Sequence, residues 1–413
     1  MTALPGVTEV SAPPPFRRDR MVHAWIGVKA LSDVGDALWT IALAWTAVQI
    51  ASPAVAGLIV AAGALPRAVV LLFGGALADR TDARRVMILC NTVRVAVLCT
   101  VAVWVLQTPP TVPLLLGAAV AFGVCDAFFE PSAGTISRRL VRAADLPSYG
   151  AVAQTASRLG TMGGAAVGGV LVANAGLAGS ASANALTFSL VVGFLAIALR
   201  PRFRLARSPR TSSLQAIGAA FRHLRVEPTT RILVIALSGL NLAVGPAVGI
   251  GLALRAHAEG WGAPAVGLFE ALLGLGAAAG AVAVVRRRPR HEARSGFAAL
   301  VVQGAAIVAL GFGPAWTVAV AAAIIGATAG YASVLLSATF AATVDTAYLG
   351  RMSALTRLGD DCLMPLAMAV FGALASVTAL WVPFAVFGGV MMALMIMPLS
   401  ARTFRTLALR ADA

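Results

Sequence analysis

The stretch Gly75-Ala76-Leu77-Ala78-Asp79-Arg80-Thr81-Asp82-Ala83-Arg84-Arg85 closes one apolar block, 54–78, and leads into another, 86–107. Each block exceeds the ~20 residues a helix needs to cross a ~30 Å hydrocarbon core. Their only charges are Arg67 and Arg94, whereas the connection itself carries three Arg and two Asp. Long apolar runs joined by short basic turns are the pattern of a membrane-spanning helical bundle, not of a soluble core.

Working outward from this connection, the same texture repeats along the chain. Apolar segments fall at 22–50, 54–78, 86–107, 113–136, 148–172 and 177–199, then at 232–254, 262–285, 295–311, 315–340, 353–377 and 382–400. The expected fold is therefore an all-α membrane protein of 12 transmembrane helices. Composition agrees: of 413 residues 59% are apolar and 12% charged, about half the charged fraction of a soluble domain. The 41 Gly follow no triplet period and there are four Cys, which excludes collagen-like and disulfide-scaffold classes.

A net charge of +15 points at first to nucleic acid, but the positions of the basic residues give another cause. Alternate connections hold Arg17, Arg18 and Arg20; Arg80, Arg84 and Arg85; Arg138, Arg139 and Arg142; eight Arg from Arg200 to Arg231; five from Arg286 to Arg294; Arg351 and Arg357; and Arg402, Arg405 and Arg410. These are 27 of the 32 basic residues, and the opposite connections hold only Arg255. The bias places both termini in the cytoplasm with an even number of spans, and no nucleic-acid partner is expected. The first apolar block is too long for a signal peptide, contains Asp33 and Asp36, and is expected to remain as span one.

The organisation expected is a cytoplasmic tail at 1–20, a six-helix half at 21–199, a basic linker at 200–231, a second six-helix half at 232–401 and a tail at 402–413. An internal echo accompanies it. Arg158-Leu159-Gly160 recurs as Arg357-Leu358-Gly359, and Asp145 has Asp345 at nearly the same offset. Repeated halves with substrate held between them are a transporter architecture.

The loop after the second span resembles the Gly-x-x-x-Asp-Arg-x-Gly-Arg-Arg signature of the major facilitator superfamily, with Asp82 where Gly is usual and Ala83 where Arg is usual. The resemblance implies a conformational latch built on Gly75, Asp79, Arg80 and Arg84, with Glu130 within reach of Arg84 or Arg85. The fifth span, through Gly160, Gly164, Gly168 and Gly169, is similar to the antiporter motif of drug exporters, with Ala165 in place of Pro. Gly160, Gly164 and Gly168 share one helix face and permit close helix approach; without the Pro the motif's kink is lost. Ser32-Asp33-Val34-Gly35-Asp36, Phe128-Phe129-Glu130-Pro131-Ser132 and Leu349-Gly350-Arg351-Met352-Ser353 resemble the branch that includes macrolide-efflux and enterobactin-exporter proteins.

Charge inside a bilayer is costly, so each such group is a functional candidate. The candidates for proton coupling or substrate binding are Asp36, Asp33, Lys29, Asp126, Arg158, Glu270 and Asp361. Lys29 and Asp33 stand four residues apart and are expected to pair; Lys29 is the only Lys, against 31 Arg. Asp36 is placed first, since a desolvated carboxylate can exchange protons near neutral pH. Asp126 is expected to pair with Arg158. Of the adjacent Asp360 and Asp361, about 100° apart on a helix, at most one faces a cavity easily. Trp39, Trp45, Phe128, Phe129 and Met364 are candidates for apolar contact.

No His-Glu-x-x-His, Cys-x-x-Cys or phosphate loop is present, so no metal, cofactor or enzymatic activity is expected. The expected function is secondary active transport by alternating access. Proton-coupled efflux of hydrophobic or amphipathic small molecules is favoured, and uptake symport of a nutrient or siderophore is the alternative. The expected partners are a small-molecule substrate, protons and the lipid bilayer, for a monomer in a bacterial inner membrane.

Overall fold

The computed structural model describes residues 14–73, 82–200, 202–203, 218, 222, 224–344 and 346–400. Among them there is no strand. A short 3-10 turn, Phe16–Arg18, leads into α1 (Arg20–Ile50), whose first turn is capped by the Asp19 carboxylate accepting from the Met21 and Val22 amides. Then come α2 (Pro53–Phe73), α3 (Ala83–Gln107) and α4 (Val112–Leu140). The 52-residue α5 (Leu146–Ile197) is broken at Gly176, where φ 61° and ψ −164° are open to glycine but not to L side chains. The break falls between the fifth and sixth apolar segments of the sequence.

In the second part of the chain α6 (Pro228–Pro246) passes through a π-helical turn, Ala247–Gly251, into α7 (Leu252–Ala258). Pro246 removes a backbone donor at this point, the usual setting for a local change of helical pitch. α8 (Ala263–Arg286), α9 (Glu292–Ala309), α10 (Ala315–Thr343), α11 (Thr346–Val377) and α12 (Trp381–Ser400) complete the bundle. Among the described residues eight helices are long and apolar enough to cross a membrane, against the twelve spans expected. The stretch Ala143–Ile197 counts once in that number despite its break, and α1 has the length but is made less apolar by Lys29, Asp33 and Asp36. The chain is a multi-pass membrane protein.

Small residues set how closely the helices approach. A methyl group on Gly164 would lie 2.8 Å from Val34 Cα, and one on Gly168 would lie 3.0 Å from Leu38 Cα, while Gly160 faces Ala30. The matched register, 30 to 160 through 38 to 168, means that α1 and α5 run in the same direction. α8 and α10 do likewise, with Gly276 against Ala327 and Gly280 against Tyr331. Gly274, Gly276 and Gly280 therefore serve helix packing.

Two crossings join the first five helices to the later ones. Gly169 of α5 meets Gly267 of α8, and Gly57 of α2 meets Gly372 of α11. Gly57 and Gly267 both lie near the start of their helices, so the two groups close together at the end of the bundle where α2 and α8 begin. Trp45 of α1 stacks edge-on to His257 of α7, at 5.9 Å between ring centroids. A separate apolar cluster (Trp25, Met87, Phe129, Leu195) binds the start of α1, α3, α4 and the end of α5 at the opposite end.

Candidate functional site

A cavity of about 480 Å³ opens between the two groups of helices. It lies beyond the glycine crossings, since α2 lines it from Val60 to Arg67, after Gly57, and α11 from Asp360 to Met364, before Gly372. α1 contributes Asp36 and Trp39, α4 contributes Phe122 and Asp126, and α6 contributes Asn241 and Gly245. Its volume falls in the ~300–1,000 Å³ range of small-molecule sites. Four carboxylates, Asp36, Asp126, Asp360 and Asp361, line it, against one basic residue, Arg67.

Behind the wall formed by α1 and α4 stands Arg94 of α3, 1% exposed. Its Nη2 donates to Asp126 and lies 3.7 Å from Asp36 Oδ1, and its Nη1 donates to Asn91 Oδ1 at 3.2 Å. Phe129 and Phe188 each lie 5.0 Å from its guanidinium and Phe122 lies at 5.8 Å. A desolvated cation within about 6 Å of ring faces gains on the order of 2 kcal/mol, so the three rings and two carboxylates together make the buried site tolerable. Its Nε has no hydrogen-bond partner.

A second ion cluster lies nearer the start of α1. Lys29 Nζ donates to Asp33 Oδ1 at 2.5 Å, as the four-residue spacing predicts, and lies 3.2 Å from Glu130 Oε1 of α4. Phe129 separates the two clusters: Lys29 sits 5.7 Å from its ring. Asp33 Oδ2 is buried without a partner.

The sequence-derived pairings change in two places. Asp126 pairs with Arg94 and not with Arg158, because α3 rather than α5 presents its cation to that face of α4. Glu130 pairs with Lys29 and not with Arg84 or Arg85. Arg84 instead donates to Leu195 O at 2.6 Å and to Ala196 O at 2.5 Å, satisfying carbonyls left without intrahelical partners at the end of α5. Gly75, Asp79 and Arg80 lie outside the described residues.

Arg158 and Glu270 are half-buried and neither lines the cavity, whereas Asp361 does, and so does Asp360, against the expectation that at most one of the adjacent pair would. Among the apolar candidates, Trp39 and Met364 line the cavity, and Trp39 stacks on Phe122 at 4.8 Å. Trp45 and Phe129 are buried in packing and Phe128 packs against the apolar cluster below. Three residues escaped the sequence-derived set: Arg94, Asn241 and Asp360. Asn241 Nδ2 donates to Asp360 Oδ2 at 2.7 Å across α6 and α11. The available signal was Asn241 itself, an amide in an otherwise apolar span.

The family model of the Major Facilitator Superfamily matches residues 27–358. The chain belongs to the major facilitator superfamily. This is a family of non-enzymatic membrane transporters. Among curated relatives, the enterobactin exporter EntS of Citrobacter koseri is 30% identical over 300 residues, covering 69% of this chain and 68% of that protein. The enterobactin exporter EntS of Salmonella choleraesuis is 30% identical over 261 residues, 60% of each chain. The match therefore spans between about three-fifths and two-thirds of these relatives' length. Among solved structures, the nucleoside transporter NupG superposes with a TM-score of 0.73 at 13% identity, covering 92% of this chain and 98% of that one. A bacterial homologue of the lysosomal transporter Spinster superposes with a TM-score of 0.61 at 17% identity, covering 93% and 95%. These likenesses carry the major facilitator fold.

Proposed function

We propose that this major facilitator protein is a proton-coupled exporter of hydrophobic or amphipathic small molecules. It works as a monomer of twelve spans in a bacterial inner membrane, by alternating access between two six-helix halves, 21–199 and 232–401. The basic connections support cytoplasmic termini, with the open side of the cavity facing the same way. The glycine crossings then form the outer closure, and the cavity receives substrate from the inside.

The observation that carries this reading is the Asp36–Arg94–Asp126 arrangement at the cavity wall. Arg94 serves two carboxylates, of which Asp126 holds it in direct contact and Asp36 stands farther off. Asp36 is thus the less compensated of the two and can carry the exchangeable proton. Protonation of Asp36 leaves Arg94 to Asp126, and deprotonation restores a second claim on the guanidinium. One proton thereby changes the charge of the wall that substrate meets, which couples the two by mutual exclusion. The expected absence of a phosphate loop leaves ion gradients as the energy source.

Export rather than uptake is favoured by the relatives named as enterobactin exporters. The two directions separate in cells: export lowers the intracellular level of substrate in energised cells, and symport raises it. The test of coupling is Asp36→Asn in proteoliposomes with an imposed proton gradient. Parent protein should show gradient-driven flux, and the variant should lose it by about a hundredfold while remaining monodisperse. Unchanged gradient dependence in the variant would remove Asp36 from the coupling role.

A further inference from the structure

The carboxylates on the two sides of the cavity are not in equivalent surroundings. On the first half each has a basic side chain within 4 Å: Asp33 and Glu130 have Lys29, and Asp36 and Asp126 have Arg94. On the second half Asp360, next to Asp361, has a neutral amide and, among the described residues, no basic side chain within 4 Å. Asn241 donates to its Oδ2, and its Oδ1 is buried with no hydrogen-bond partner. Among the described residues no Lys or Arg of the second half lines the cavity, and Arg67, the one basic lining residue, stands on the first half's α2 and makes no ion pair there.

An unpaired carboxylate at membrane depth costs several kcal/mol and persists only where something satisfies it part of the time. Asp360 stands between Gly359 and the second lining carboxylate, Asp361, and Met364 covers the next turn. Asn241 holds the carboxylate in one orientation but adds no charge to balance it. The site also has the other half of a cation-binding surface. Trp39 and Phe122, stacked on each other, line the facing wall, and the Met364 thioether lines the same side as Asp360. Rings and a polarisable sulfur beside an unpaired carboxylate favour a lipophilic cation over an anion or a neutral molecule of equal size.

We propose that Asp360, oriented by Asn241, is the charge-selecting group of the cavity, and that the exported molecules are lipophilic organic cations whose positive centre docks at Asp360. This rests on the export reading above and narrows its substrate class. It also divides the labour: Asp36 carries the proton on one wall and Asp360 meets the cation on the other. The cation therefore does not need to displace the proton from the same oxygen, and the two communicate through the field across the cavity.

The test compares two ions of the same shape and opposite charge, tetraphenylphosphonium and tetraphenylborate, binding to the full-length transporter in detergent micelles. Binding is read by calorimetry and by quenching of tryptophan fluorescence. Tetraphenylphosphonium should bind at least tenfold more tightly. Asp360→Asn should weaken it about tenfold, Asp360→Glu should recover most of that loss, and tetraphenylborate should be indifferent to both. Asn241→Ala should weaken tetraphenylphosphonium binding by a smaller factor, through lost orientation. Equal binding of the two ions, binding of neither, or a monodisperse Asp360→Asn protein that holds tetraphenylphosphonium as before would overturn the assignment. A failure of the export reading shows differently: no gradient-driven flux of any compound in proteoliposomes, whatever the charge preference in binding.

Discussion

The two sides of the cavity share their packing logic and differ in their charge. α1 meets α5 through Gly160, Gly164 and Gly168, and α8 meets α10 through Gly276 and Gly280, so both groups of helices are assembled by close backbone contact. Yet the first half buries Arg94 and partly buries Lys29 among four carboxylates, while the second half presents Asp360 with an amide. In a bilayer the first arrangement is a network of two basic side chains shared by four carboxylates, which is costly to break, whereas Asp360 on the second is held by an amide. Common packing with unequal charge lets one wall be fixed while the other stays responsive.

The sharpest way to break this comparison is to remove the buried cation. Arg94→Met should leave Asp36 and Asp126 uncompensated and cost about 3–5 kcal/mol, the scale for stranding one member of a buried pair. The expected outcome is loss of monodisperse protein in fluorescence-detected size exclusion, with partial recovery in Arg94→Met combined with Asp126→Asn. If Arg94→Met folds normally, Arg94 is not what makes the burial of Asp36 and Asp126 tolerable.

Next in size are matched glycine substitutions. Gly164→Leu in the first half and Gly280→Leu in the second each drive a side chain into a neighbouring backbone and should each destabilise by about 1–3 kcal/mol, seen as similar falls in melting temperature. Unequal losses would show that the halves differ in packing as well as charge. Asn241→Ala is smaller again. It removes one hydrogen bond from a partly open site and should cost about 1 kcal/mol, leaving the fold intact.

The smallest effect is expected far from the cavity. Asp19 is 3% exposed, caps α1 and receives Arg202 from the segment after α5. Burial pushes its carboxyl up, but hydrogen bonds and charge from Arg202 and the Val22 and Met21 amides outweigh burial and hold it below the usual carboxylate range. A depressed value in the folded protein means that the contribution is present at neutral pH and fades as the pH falls through that value. Asp19→Asn should therefore lower the melting temperature slightly at neutral pH, and the difference should shrink as the pH falls through the depressed value.

Much of this molecule was legible from its apolar blocks, because span length is dictated by bilayer thickness and not by packing detail. The break between the fifth and sixth segments was readable to within a few residues, and structure puts it at Gly176. Local ion pairing was readable too, since Lys29 and Asp33 share one helix face at fixed spacing. Pairs across helices were not. Choosing between Arg94 and Arg158 for Asp126 requires the rotation and depth of three helices, and sequence fixes none of these. The same limit hid Asp360: two adjacent carboxylates look alike until Asn241, 119 residues away, takes hold of one of them.

Lys29 has a practical consequence of its own. It is the sole lysine in 413 residues, and it sits within the ion network of α1 and α4. Amine chemistry that labels most proteins at dozens of places would here address one side chain besides the terminal amine. Reductive methylation with labelled formaldehyde would therefore turn this single ammonium into a spectroscopic reporter beside Asp33 and Glu130, with no engineered residue.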